Sequence, residues 1–293
     1  MSLSKFKGTG VALVTPFDKG GAIDYAGLLN LLNFTASNGV NYWVIQGTTG
    51  ESPTVTSSEK QELLKFAIDN NAKQLPIVYG IGGNSTAGIL NMIKETNFEG
   101  VDAILSASPY YNKPSQEGII KHYQMIADAC PVPVILYNVP GRTSSNLSSE
   151  TTLELSNHEN IIGIKEASGN IEQAMEIMNN MPDDFFLTSG DDMLTISLMS
   201  MGAVGAISVL ANGLPETFTI MVNSCLDNNY ETATKMGFKL LAINPLMYEE
   251  SNPVGIKEVL AQYNICENHT RLPLLSASTD LQNKIKVVLN SIG

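Results

Sequence analysis

Lys165 closes the apolar run Ile161-Ile162-Gly163-Ile164 and is followed by Glu166-Ala167-Ser168-Gly169. A run of this kind reads as a strand buried on both faces, so a lysine at its end must be paired, neutral or in use. Desolvation disfavours the ammonium and enlarges the share of free amine, and a free amine attacks carbonyl carbon to form an imine. The bland alternative is a lysine that snorkels to solvent. Other polar residues interrupt apolar runs in the same way. Gly47-Thr48-Thr49-Gly50-Glu51 places two hydroxyls between glycines, a tight turn whose exposed N–H groups suit a carboxylate. Tyr137 ends another run, and its hydroxyl needs a partner or a task. Just beyond it, Arg142 in a Gly-Arg-Thr turn offers a fork that holds a carboxylate bidentately. Ser108-Pro109-Tyr110-Tyr111-Asn112-Lys113-Pro114 carries two phenols in a stiff loop, where packing or a subunit contact is the competing reading. In Ser189-Gly190-Asp191-Asp192 the glycine permits close backbone approach, and the aspartates read as helix caps rather than a metal site. His122, His158 and His269 stand apart, so no metal centre is expected. An ordinary Gly-Thr turn and a surface arginine are the plain readings of the separate pieces. Their joint occurrence points to imine chemistry on an α-keto acid, with an amine nucleophile, proton-shuttling hydroxyls and carboxylate receptors.

The elements that must position these residues alternate. Strand-like runs are expected at 10–16, 42–47, 76–81, 103–108, 133–138, 161–166, 185–189 and 205–209, with amphipathic segments between them. Tyr25, Leu28, Leu29 and Leu32 share one helical face, with Gly39 as a stop. Thr56 and Glu59 form a capping box before Leu63, Leu64 and Ala67. Asn170 caps a helix whose apolar face is read as Ile171, Ala174, Met175 and Met178. Eight strands separated by single crossover helices predict an α/β fold, a (β/α)8 TIM barrel, in which every strand's C-terminal end opens on one mouth. A doubly wound sheet would show a Gly-rich phosphate turn after the first strand, and none is present. Past residue 213 the strand-like runs stop, and 232–243, 253–263 and 280–290 read as helices. The predicted division is a barrel over 1–225 and a C-terminal helical appendage over 226–293.

Composition sets the outer bounds. The 293 residues are 43% hydrophobic with a net charge of −12, a balance without any basic block. Nucleic acid and anionic membrane are therefore poor partners. No run reaches the ~18 apolar residues of a membrane span. The opening Met1-Ser2-Leu3-Ser4-Lys5-Phe6-Lys7 has no apolar centre, so no secretory leader and a cytoplasmic location are expected. Cys130, Cys225 and Cys266 are odd in number and far apart, which suits reduced, buried thiols better than disulfides or zinc.

Six motifs together identify a resemblance: GTGVALVTPF near the start, GTTGE at 47–51, SPYYNKPSQEG at 108–118, YNVPGRT at 137–143, IKEASGN at 164–170 and LTSGDD at 187–192. They span nearly the whole chain, which resembles the dihydrodipicolinate synthase family of pyruvate-dependent class I aldolases, relatives of N-acetylneuraminate lyase. GTTGE and IKEASG mark the superfamily, and Gly-Arg-Thr after Tyr-Asn-Val-Pro favours the synthase branch. The resemblance implies that pyruvate forms an imine with Lys165, becomes an enamine, and attacks L-aspartate 4-semialdehyde. The product would be 4-hydroxy-tetrahydrodipicolinate, on the diaminopimelate route to lysine. It further implies that Tyr137, Thr48 and Tyr111 relay protons, with Tyr111 supplied by a neighbouring subunit. Thr49 would hold the keto-acid carboxylate and Arg142 that of the semialdehyde, while Gly190 and Ile207 line the pocket through backbone groups. A homotetramer of two tight dimers is implied, and no organic cofactor.

Departures from the family pattern carry their own expectations. Lysine-inhibited members place a histidine and a glutamate where Lys60 and Gly88 stand here, although Ser52, Asn84 and Tyr110 match. Weak or absent lysine feedback follows. Asn252-Pro253-Val254-Gly255-Ile256-Lys257 replaces a proline of the family pattern by Gly255, which should loosen a helix start and matter little for catalysis. Two rival readings remain. An N-acetylneuraminate lyase or keto-deoxy-sugar aldolase would keep Lys165, Tyr137 and the threonines, but Arg142 suits a carboxylate-bearing aldehyde better than sugar hydroxyls. A non-enzymatic ligand-binding barrel would require Lys165 to be inert.

Overall fold

Eight short parallel strands form one closed sheet in the computed structural model, which describes residues 3–292. They are β1 (Gly8–Ala12), β2 (Tyr42–Ile45), β3 (Ile77–Gly80), β4 (Ala103–Ala107), β5 (Val134–Asn138), β6 (Ile161–Glu166), β7 (Phe186–Ser189) and β8 (Gly205–Ser208). Each pairs with its neighbours in chain order, and β8 returns to β1 with Gly8 opposite Gly205. The predicted barrel is therefore the observed one. The first strand ends earlier than expected, at Ala12 rather than residue 16. The Val14 N–H donates to the Asn212 side chain (3.1 Å) instead of to a neighbouring strand, so the ladder stops there.

Helices fill the crossovers: α1 (Tyr25–Ser37), α2 (Ser57–Asp69), α3 (Thr86–Glu95), α4 (Gln116–Ala129), α5 (Pro140–Thr143), α6 (Ser149–Leu155), α7 (Ile171–Asn180) and α8 (Thr195–Ser200). After β8 the chain is helical: α9 (Pro215–Leu226), α10 (Tyr230–Leu240), α11 (Val254–Gln262) and α12 (Thr279–Ile292). Local signals start several of them. The Thr56 hydroxyl accepts from the Glu59 N–H while the Glu59 carboxylate accepts from the Thr56 N–H, a reciprocal capping box at α2. Asn170 accepts the Gln173 N–H at the start of α7 (3.1 Å). The face of α7 differs from expectation. Ala174, Ile177 and Gln173 are buried, whereas Ile171 and Met175 are exposed. Gln173 turns inward because its amide donates to the buried Glu166 carboxylate (3.2 Å), and that rotation carries Ile171 and Met175 outward.

The core has two shells. One packs the strands' outer faces against the helices, and the other fills the barrel with Tyr42, Val44, Leu105, Ile135, Phe186 and Ile207. Gly163 makes room for the Phe186 ring, since a Cβ there would lie 2.7 Å from it. Phe6 plugs the bottom, edge-on to Tyr42 (5.7 Å between centroids) and stacked on Phe186 (6.0 Å). With the bottom filled by rings, only the C-terminal ends of the strands remain for a site. All three cysteines are buried and free. No described helix is long and apolar enough to cross a membrane.

Candidate active site

Lys165 is the fifth residue of β6, opposite Tyr137 on β5 and Thr188 on β7. It is only 4% exposed, and its Nζ lies 4.5 Å from the centre of the Tyr137 ring. Among the described residues it joins no ion pair, in contrast to Lys257, the other deeply buried lysine. Gly190 flanks it just past β7. A Cβ at Gly190 would lie 2.6 Å from the Ala167 Cβ and 3.0 Å from the Lys165 Cε, so only glycine leaves the lysine its space. The Gly190 N–H is tied to the Glu166 carbonyl (2.7 Å), which fixes that wall. Ile207 is buried on the inner face of β8.

At the last residue of β6, the Glu166 carboxylate organises the neighbouring turns. It accepts from the Ser168 N–H (2.6 Å), the Asn138 amide (3.0 Å) and the Gln173 amide. A buried carboxylate with several donors is satisfied without a counter-ion, so Glu166 is held away from Lys165 by its own partners.

Thr48 and Thr49 lie in a 3-10 turn (Thr48–Gly50) that follows β2. Thr49 is buried, and its hydroxyl oxygen accepts from the Asn252 amide (3.0 Å), leaving the hydroxyl hydrogen free to point elsewhere. The Gly50 carbonyl accepts from the Thr15 hydroxyl (2.7 Å), pinning the turn from β1's side. Arg142 falls in α5 and is exposed; its Nη2 donates to the Asn252 carbonyl at 3.5 Å. Asn252 thus touches both of the predicted carboxylate receptors. Sequence reasoning missed its part, because it lies 203 positions from Thr49.

Tyr111 stands differently from the rest. It is 88% exposed, with φ 72°, in the loop after β4, and the chain itself does not bury it. Tyr110 beside it is 42% exposed.

The two aspartates after Gly190 have separate jobs. Asp191 accepts from the Met193 and Leu194 N–H groups in the turn ahead of α8, whose N-cap, Leu194, receives no side-chain hydrogen bond, so the expected helix-capping role is not found. Asp192 instead turns across to the end of β8 and accepts from the Leu210 N–H (2.8 Å) and the Val209 N–H (3.2 Å), so reading it as a helix cap was incorrect. Burial pushes its carboxyl up to about 6, opposed by the Leu210 N–H, the Ser208 hydroxyl and the nearby Lys165 charge. Tyr248, from the C-terminal region, joins the same rim. The residue is 44% exposed as a whole, yet burial around its hydroxyl raises the phenol first, and then the charges of Asp192 and Asp191, with Tyr137 and Arg142 close enough to act on it too.

The turn that carries the threonines ends in Glu51, which the sequence did not single out for a role of its own. Glu51 adopts a left-handed backbone (φ 53°), is 3% exposed, and pairs with the fully buried Lys257 (2.5 Å). Burial depresses the Lys257 ammonium below the usual lysine range, and the Glu51 carboxylate opposes that shift. Gly255, expected to loosen the start of α11, is needed there: a Cβ would lie 2.6 Å from the Met247 Cα.

A family model described as the Dihydrodipicolinate synthetase family matches residues 5–292. The chain is 50% identical over 281 residues to the 4-hydroxy-tetrahydrodipicolinate synthase of Cytophaga hutchinsonii, covering 96% of this chain and 95% of that one. It is 45% identical over 292 residues to the enzyme of the same name from Flavobacterium psychrophilum, covering 99% and 100%. Among solved structures, the dihydrodipicolinate synthase from Aquifex aeolicus superposes with a TM-score of 0.93 at 35% identity, covering 98% of each chain.

Proposed function

Because the chain belongs to the dihydrodipicolinate synthetase family, we propose that the mouth around Lys165 is where it condenses pyruvate with L-aspartate 4-semialdehyde. The product is 4-hydroxy-tetrahydrodipicolinate. The observation that carries the site assignment is a buried lysine that joins no ion pair among the described residues, beside a phenol, with a glycine holding space next to its Cε.

In this reading the Lys165 nitrogen attacks the keto carbon of pyruvate and the former carbonyl oxygen leaves as water. The protonated imine is an electron sink, so the methyl group loses a proton and an enamine forms. The enamine carbon attacks the aldehyde carbon, whose oxygen takes up a proton to become the product hydroxyl. The amino group of the semialdehyde then attacks the imine carbon, closes the ring and releases Lys165. One water is lost overall, and no redox step occurs.

Tyr137 sets an acid–base group beside the lysine, with Nζ 4.5 Å from its ring centre. A phenol, whose ordinary pKa is ~10, is a poor base alone, so the relay assigned to Tyr137, Thr48 and Tyr111 passes a proton without leaving charge on one group. Thr49, with its oxygen engaged by Asn252, has its hydroxyl hydrogen available for the pyruvate carboxylate. Arg142 receives the semialdehyde carboxylate from the rim. Tyr111 acts in a neighbouring subunit; its exposure and its stiff loop between Pro109 and Pro114 support that role, as do the exposed Leu272 and Leu275 for an apolar contact. A homotetramer built from two such dimers accommodates it. Residues 1–225 then supply the barrel, and 226–293 close the side where Thr49 lies.

Borohydride reduction in the presence of pyruvate tests the assignment. The expected result is a pyruvate adduct located on Lys165 by mass spectrometry and absent from Lys165→Ala. An adduct that persists in that variant would refute the role given to Lys165.

A further inference from the structure

We propose that the C-terminal region sets the affinity for the keto acid by clamping the Gly47-to-Glu51 turn, with Glu51 and Lys257 as its positioning pair. The proposal rests on the reading of Thr49 as the seat of the pyruvate carboxylate. Three ties converge on this turn and the segment after it. Asn252 donates to the Thr49 hydroxyl oxygen (3.0 Å). Lys257 donates to the Glu51 carboxylate and to the His269 carbonyl (2.7 Å), and lies over the Phe17 ring (4.3 Å). Arg271 gives its backbone N–H to Glu51 (3.0 Å) and its guanidinium to the Thr54 carbonyl, the Glu59 carboxylate and the Gly21 carbonyl.

Stability is a weak explanation for the central tie. Taking two charges out of water offsets most of their attraction, and apolar groups of like volume usually serve a core as well. What a buried pair does supply is a single geometry. Glu51 needs that, because a left-handed backbone is unfavourable for a residue with a Cβ and persists only where its surroundings dictate it. Glu51 lies two residues from Thr49, so the conformation dictated at Glu51 also decides where the Thr49 N–H group and hydroxyl point. A change of direction there weakens a hydrogen bond to a charged carboxylate without touching Lys165.

Full-length Lys257→Met and the double variant Glu51→Gln/Lys257→Met test this, with melting midpoint, steady-state kinetics and borohydride trapping as readouts. The single variant leaves Glu51 buried and unpaired, while the double variant removes both charges at similar volume and carries the test if the single one does not fold. In the double variant the melting midpoint is expected to return towards wild type. KM for pyruvate stays raised by roughly ten- to a hundredfold, the range for a lost hydrogen bond to a charged group. The kcat at saturating pyruvate and KM for the semialdehyde stay close to wild type. Recovery of the pyruvate KM together with the melting midpoint would overturn the proposal and leave the pair a purely structural one. Absence of any pyruvate adduct in the wild-type enzyme would instead overturn the reading of the site itself. Adduct formation at limiting pyruvate that is equal in wild type and double variant would overturn the clamp alone.

Discussion

Replacing Arg271 by methionine should cost stability in a way that depends on pH. The guanidinium makes two short contacts to Glu59 (2.6 and 2.9 Å) and caps the Gly21 and Thr54 carbonyls (2.8 Å each). Its hydrogen bonds hold the Glu59 carboxyl down at about 2, from an ordinary 4.5, with the Thr56 N–H and hydroxyl assisting. That difference corresponds to a ceiling of roughly 3 kcal/mol. Solvent reaches both partners, at 17% and 24% exposure, so about 2 kcal/mol is the reasonable share after screening. The two carbonyls add about 1 kcal/mol between them, because water replaces part of what they lose. Methionine removes the guanidinium that lies over the Phe17 ring (4.3 Å) but refills much of the same space, so the packing loss is small. The sum, about 3 kcal/mol at pH 7, lowers the melting midpoint by roughly 5 °C.

The sign with pH follows from the depressed value. A carboxyl whose folded pKa lies below its unfolded one stabilises fully above 4.5 and loses that contribution as pH falls through about 2. The gap between wild type and Arg271→Met should therefore be widest at pH 7, narrow below pH 4.5, and retain only the small carbonyl share in strong acid. Denaturant melts at pH 7 and pH 3, at one protein concentration, measure it. A gap under ~1 kcal/mol at pH 7, or one as wide at pH 3 as at pH 7, would refute the assignment of the stabilisation to the Glu59 pair.

Asp192 predicts the opposite sign. Its carboxyl is raised from 3.8 to about 6, chiefly by burial, so the native state holds the extra proton in that window and stability falls as pH rises through it. Asp192→Asn lacks this component, so the stability of wild type relative to the variant should decline between pH 4 and pH 6; a flat difference would show that burial does not perturb the group. Arg142→Ala should raise KM for the semialdehyde by roughly ten- to a hundredfold while leaving pyruvate adduct formation nearly intact. Equal losses in both assays would mean that the arginine serves pyruvate instead. Sub-millimolar lysine should leave the rate unchanged, since Gly88 offers no carboxylate and Lys60, half-buried with its ammonium destabilised by that burial, adds like charge. Half-inhibition in a coupled assay would contradict this.

The barrel was readable from the chain because its signals are local. The run ending in Lys165 is apolar at every position a doubly covered strand requires, and it forms β6 with the predicted bounds. Thr56 with Glu59, and Asn170 with Gln173, satisfy N–H groups three residues away, so the sequence carries both halves of each cap. The turns holding Thr48, Thr49, Arg142 and Gly190 follow their strands directly, and a parallel barrel sends all such turns to one end.

Folding alone brought together what lies far apart in sequence. Asn252 meets Thr49 and Arg142, Lys257 meets Glu51, and Arg271 meets Glu59 across 110 to 212 positions, with nothing in their neighbours to announce it. Asp192 reads as half of a helix cap, but the packed chain presents it with two N–H groups just past β8, from Val209 and Leu210. The inward turn of Gln173, which exposes Ile171 and Met175, depended on a buried carboxylate already placed at Glu166. Propensity and periodicity act over a few residues. A buried charge or amide is satisfied by whatever partner the packed chain delivers, and only the packed chain reveals which one that is.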